Sequence, residues 1–178
     1  MNVIWKTIFS VSCVLVATMV TTIMSMFIQS MELDRCCLQH LRLAANASTV
    51  DMAESQLRTA ISWLERHKGK TGSTALIYRT PDTDYGYWLA NLKASADELR
   101  QLGPDSTQTD RTNTLLKLRE TIMDNDASGS YVAVPENLAT FPCTGSYLCI
   151  MIAIAFSMVG LTILFFAVAS PRSGPRWR

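Results

Sequence analysis

Five cysteines and two histidines are the first residues to weigh for chemistry. Cys36, Cys37 and His40 lie within five positions of one another. On a helix Cys36 and His40 share one face, the i, i+4 geometry that supplies two ligands to a metal. A structural zinc site needs four, and the other histidine, His67, belongs to another helix. The spacing is therefore read as accidental, and no metal or cofactor is expected. Cys13 and Cys149 sit in apolar runs and read as small apolar residues. Cys36, Cys37 and Cys143 flank those runs, and a disulfide from Cys36 or Cys37 to Cys143 would close a long loop; three free thiols are the alternative.

Two strings imitate ligand loops. Gly69-Lys70-Thr71-Gly72-Ser73-Thr74 suggests a phosphate loop, but the position where that motif requires its first glycine is Leu64, on the apolar stripe of a helix. It reads as an ordinary helix-ending loop. Asp124-Asn125-Asp126-Ala127-Ser128-Gly129 starts like a calcium loop, with oxygens at Asp124, Asp126 and Ser128, but its twelfth position is Pro135 where a bidentate Glu belongs. It reads as a turn. Carboxylate pairs such as Asp82 and Asp84 fit helix caps. No nucleophile–base arrangement stands out, so no enzyme is expected. Asn46-Ala47-Ser48 is a glycosylation sequon, with meaning only in a eukaryotic secretory setting. Trp63, Trp88, Tyr78, Tyr85, Tyr87 and Tyr131 are many aromatics for a small domain. Trp88 falls on an apolar stripe. Tyr85-Gly86-Tyr87 cannot all face inward, which makes Tyr85, Tyr87 and Trp88 a candidate contact surface.

The elements that carry these residues are set by two hydrophobic runs, 8–28 and 148–169, neither with a charged residue or histidine. Each is about 20 residues, roughly 30 Å of helix, the thickness of a bilayer's hydrocarbon core. Backbone polar groups in lipid must be satisfied inside their own segment, so both read as transmembrane helices. Segment 30–147 holds all fifteen acidic residues and twelve of the sixteen Lys and Arg, a formal charge of −3. That mildly acidic balance argues against nucleic acid as a partner. Lys6 precedes the first run, and Arg172, Arg176 and Arg178 follow the second, with no acid beside them. Basic flanks favour the cytoplasmic side. The first run is longer than a signal-peptide core and meets no small-residue cleavage site, so it reads as an uncleaved anchor.

Between the runs, apolar spacing predicts three amphipathic helices. One starts at an S-x-x-D box on Ser48 and carries Ala53, Leu57, Ala60, Ile61 and Leu64, ending at Gly69. The second is capped by 81–84, carries Tyr85, Trp88, Leu89, Leu92, Ala96, Leu99 and Leu102, and stops at Gly103-Pro104. The third begins near 106–109 and carries Leu115, Leu118 and Ile122. The first transmembrane helix is expected to continue outward through Leu33, Leu38, Leu41 and Leu43. Segments 74–80 and 131–134 read as short extended pieces that pair with each other, with 124–130 a loop. The domains are thus 1–29, flank and first span; 30–147, a helical extracytoplasmic domain; 148–169, second span; and 170–178, a short basic cytoplasmic tail. The fold class is mainly α.

Residues 74–92, which read Thr-Ala-Leu-Ile-Tyr-Arg-Thr-Pro-Asp-Thr-Asp-Tyr-Gly-Tyr-Trp-Leu-Ala-Asn-Leu, together with 112–121 and Val132-Ala133-Val134-Pro135, resemble a family of uncharacterised small membrane proteins of photosynthetic bacteria. The resemblance covers about half of the central domain and implies the two-span architecture; it implies no activity and no catalytic residues. The functional expectation is an anchored extracytoplasmic interaction module, an accessory or structural subunit of a membrane complex. Its partners would be the lipid bilayer and other membrane subunits. Small residues Ala153, Ser157 and Gly160 near one face of the second span permit close helix packing, either within the hairpin or with a partner. The alternative is a ligand sensor signalling through another protein, since the tail is too short for an output domain.

Overall fold

The computed structural model describes residues 2–69, 71–75, 80–103, 106–127 and 129–169. The chain is mainly helical and divides into two compact units, one of residues 1–26 and 145–178 and one of 27–144. Its elements are α1 (Asn2–Leu33), a π-helical turn (Asp34–Leu38), α2 (Gln39–Ala45), α3 (Val50–His67), a 3₁₀ turn (Pro81–Thr83), α4 (Tyr85–Gln101), α5 (Gln108–Ile122), β1 (Met123–Asp126), β2 (Gly129–Val132) and α6 (Thr144–Ala169).

The first unit is a helical hairpin. Two helical runs, Thr7–Ala45 and Thr144–Ile163, are long and apolar enough to cross a membrane. Half-buried residues recur on α1 at 8, 12, 15, 19, 22 and 26, alternating intervals of four and three. That is the 3.5-residue period of a helix seam. On α6 the matching positions are Tyr147, Met151, Ile154 and Leu161. Ser25 Oγ and Tyr147 Oη are 3.0 Å apart. At the other end Ile8 and Ser12 share a cavity with Met158, Leu161 and Phe165, so the two helices run antiparallel.

The second unit packs α2, α3, α4 and α5 around one core. Thr49, not Ser48, caps α3: its hydroxyl accepts from the Met52 N–H at 3.4 Å. The helix presents Ala53, Leu57, Ala60, Ile61 and Leu64 to the core, the stripe its spacing requires. It ends where Gly69 takes φ +81°, the left-handed conformation that closes a helix cheaply only with glycine. Asp84 caps α4 by accepting from the Tyr87 N–H at 3.1 Å. Thr107 and Asp110 form a reciprocal capping box at the start of α5. Each fully buried leucine here removes enough apolar surface from water to stabilise the fold by ~1.5–3 kcal/mol. Exposed ion pairs, Lys93–Glu65 at 2.6 Å and Lys117–Glu98 at 2.8 Å, bridge α3 to α4 and α4 to α5. Such pairs fix register more than they stabilise.

Two expectations fail. Residues 124–130 are not a loop: β1 and β2 form an antiparallel hairpin with Met123 opposite Val132 and Asp126 opposite Gly129. Val132 is buried, and the Ala133 N–H donates to Ile122 O at 2.8 Å, so the hairpin is anchored through its base. Residues 131 and 132 thus pair with Asp124 and Met123, and among the described residues 131–134 does not pair with 74, 75 or 80. Ser73 instead bridges Asp84, and 76–79, including Tyr78, lie outside the described residues, as do Pro104 and the basic tail. The extension of α1 also carries an unexpected π turn. The buried residues Leu33, Cys37 and Leu41 are spaced by four, an interval at which a regular α-helix drifts about 40° per step. The wider π turn absorbs that drift and keeps all three on the core face.

Candidate functional site

Three places in the second unit hold side chains whose chemistry goes beyond apolar packing. The first is the aromatic segment opening α4. It does not form one contact surface. Tyr85 is fully buried; its ring packs on Phe141 at 5.2 Å and its hydroxyl donates to Gly69 O at 3.1 Å. Burial pushes its phenol above the ordinary range. Trp88 is half-buried, and its indole N–H donates to Ala133 O at 3.1 Å. Only Tyr87 faces out, 62% exposed, beside an open groove with Gly72, Pro81 and Asp84. Helical geometry explains the split, since neighbours diverge by ~100°. Gly72, part of the phosphate-loop look-alike, serves packing: a Cβ there would sit 2.7 Å from the Phe141 ring.

The second place is Lys68, the residue that follows α3. It is only 8% exposed. Its Nζ donates to Ala139 O at 2.5 Å and Phe141 O at 2.8 Å, pinning the segment before α6 to the end of α3. Burial pushes the ammonium pKa below its ordinary 10.5, opposed by the Glu32 carboxylate and the thiols of Cys143 and Cys37. The cysteines themselves are free. Cys37 is fully buried, Cys36 half-buried and Cys143 exposed, so neither expected bridge is formed in this structure.

The ligand-like groups are used locally. His40 Nδ1 lies 2.7 Å from Gln56 Oε1, and the His67 Nδ1–H donates to Trp63 O at 2.9 Å while its ring stacks on Trp63. Asp124 and Asp126 lie on β1, and Asp124 accepts from the Asn125 N–H and the Tyr131 hydroxyl. Ser128 lies outside the described residues. Among the described residues, no three His, Cys, Asp or Glu side chains converge on a point that could hold a metal.

The third place, missed in the sequence, is a groove of about 760 Å³ between the 45–51 turn and α5. Its size is that of a ligand or peptide site. Ala45, Ala47, Val50, Leu102 and Leu115 give it apolar lining; Asn46, Thr49, Gln108 and Thr112 give it hydrogen-bonding groups. Arg111 and Arg119 line it too, against one carboxylate, Asp51. Leu116 stands at its edge, 52% exposed. The groove follows from the weak amphipathicity of α5, which buries only Leu118 and Ile122 fully and leaves a face uncovered. Spacing alone put Leu115 in the core; it packs against that core but also faces the groove.

Comparison with known protein families, characterised proteins and solved structures finds no match for this chain. The functional reading therefore rests on geometry.

Proposed function

We propose that this protein is a membrane-anchored interaction module, an accessory or structural subunit of a membrane protein complex. The observation that carries the reading is on α6. The residues that meet α1 are Tyr147, Met151, Ile154 and Leu161, whereas Ala153, Ser157 and Gly160 are exposed, and nothing lies within 4 Å of where a Gly160 Cβ would be. On a helical wheel that small-residue face is centred about 110° from the seam. The hairpin does not use it. A face of small residues in lipid lets another helix approach closely, so its natural occupant is a helix of another membrane subunit. The basic flanks Lys6, Arg172, Arg176 and Arg178 support an orientation with both ends cytoplasmic and the 27–144 unit outside.

Purification in mild detergent tests this. Larger membrane subunits should accompany the chain in fixed ratio. Gly160→Leu should strip them away while the variant still inserts, because the seam on α1 is untouched. A chain that purifies alone, or a Gly160→Leu variant that keeps its company, would contradict the reading.

A further inference from the structure

One face of α5 is complementary to its own copy. Leu116, Arg119, Glu120 and Met123 stand at i, i+3, i+4 and i+7, which is one side of a helix. All four line an open hollow of about 430 Å³, beside Asn125 and Ser130 of the hairpin, so the chain itself leaves this face uncovered. Leu116 is 52% exposed, and Arg119 and Glu120 are exposed without an ion-pair partner among the described residues. Leu116 and Met123 mark the midline of the face. Arg119 and Glu120 lie about 50° to either side of it and about 1.5 Å apart along the axis. Those offsets decide how a second α5 would meet the first. A two-fold axis parallel to the helix sets Leu116 on Leu116 of the second copy and Met123 on Met123. It also carries the arginine side of each helix to the glutamate side of the other, so Arg119 faces Glu120 twice. A two-fold across the helices through the same contact would instead set Arg119 against Arg119 and Glu120 against Glu120. Thr112 and Asn113, one turn back on the same face, bring no further charge.

We infer that this face of α5 is an interface between two copies of the chain, with the two helices parallel and Arg119 of each against Glu120 of the other. The inference goes beyond the accessory-subunit reading, because it concerns a second copy of the chain and uses a different surface from the small-residue face of α6. The test takes the full chain in mild detergent, overproduced so that it outnumbers other subunits, and reads protein mass by light scattering behind size exclusion. The mass should be that of two chains and fall toward one on dilution. Higher salt should weaken the pairing, since exposed charges are screened. Arg119→Glu and Glu120→Arg, made separately, each set like charges face to face and should raise the dissociation constant by about tenfold or more. The two variants mixed should pair with each other, and the double exchange Arg119→Glu with Glu120→Arg should restore the dimer. Leu116→Ala, which strips the apolar midline from both copies, should also cost about tenfold. These three positions are exposed, and circular dichroism checks that each variant folds. A single copy at every concentration would overturn the proposal, as would a dimer indifferent to Leu116→Ala and to folded Arg119→Glu. A dimer lost with Gly160→Leu but kept with Arg119→Glu would move self-association to α6 and overturn it too.

Discussion

Lys68 shows how much one residue's role depends on chain far from it. Its partners, the carbonyls of Ala139 and Phe141, lie more than seventy positions away. No local pattern announces that, and a basic residue at a helix end is ordinarily a solvated counterpart of the helix dipole. Lys68→Met should leave two carbonyls without their donor, at ~1–3 kcal/mol for each that stays dry. Lys68→Arg should restore part of it. The pH dependence has a definite sign. The folded protein holds this proton less tightly than the unfolded chain, so between the lowered folded value and 10.5 the unfolded chain binds more protons. This group's contribution to stability therefore rises with pH across that window. Denaturant melts of the wild type and Lys68→Met between pH 7 and pH 10 would check it; the wild type should gain on the variant as pH rises, and parallel curves would refute the assignment. Tyr85 carries a similar lesson. Its position on the α4 stripe was legible, but its hydroxyl bond to Gly69 required the loop to fold back.

At the scale of elements, α3, α4 and α5 were legible because their apolar residues keep helical spacing and their caps are chemically distinct. Leu57, Ile61 and Leu64, then Leu92 and Leu99, then Leu118 and Ile122 all enter one core. Leu92→Ala should lower stability by ~2–5 kcal/mol, through lost burial and the cavity left behind. Among the described residues its neighbour Lys93 makes one ion pair, at the surface with Glu65, so Lys93→Ala should cost under ~1 kcal/mol. Thermal melts of the two variants would separate them, and equal shifts would mean that the register of α4 is wrong. The hairpin was not legible. Asp124-Asn125-Asp126 has poor β-propensity and strong turn character, and tertiary anchoring at Ile122 and Val132 overrides it. The π turn was hidden for a related reason. A stripe spaced by four, Leu33, Cys37 and Leu41, differs little from ordinary helix spacing, and only the requirement that all three be buried together selects the wider turn. The α5 groove escaped because a stripe of apolar residues marks what is buried, not what a short helix leaves uncovered.

For the molecule as a whole, two apolar helices bracket a compact helical unit, and each of the two units leaves a surface without an occupant: the small-residue face of α6 in one, the arginine-lined groove of α5 in the other. Both surfaces fit the proposed interaction module. That account requires the 27–144 unit to stand on the opposite side of the membrane from both ends of the chain. Site-directed labelling tests this most directly. With the five native cysteines replaced by alanine, Ser106→Cys and Ser173→Cys are expressed separately in intact cells and exposed to a membrane-impermeant maleimide. The account predicts that the cysteine at 106 reacts at once and that the one at 173 reacts only after the membrane is permeabilised. Labelling at 173 with protection at 106 would invert the orientation, and labelling of both in intact cells would mean that the two helices do not form a hairpin across the bilayer.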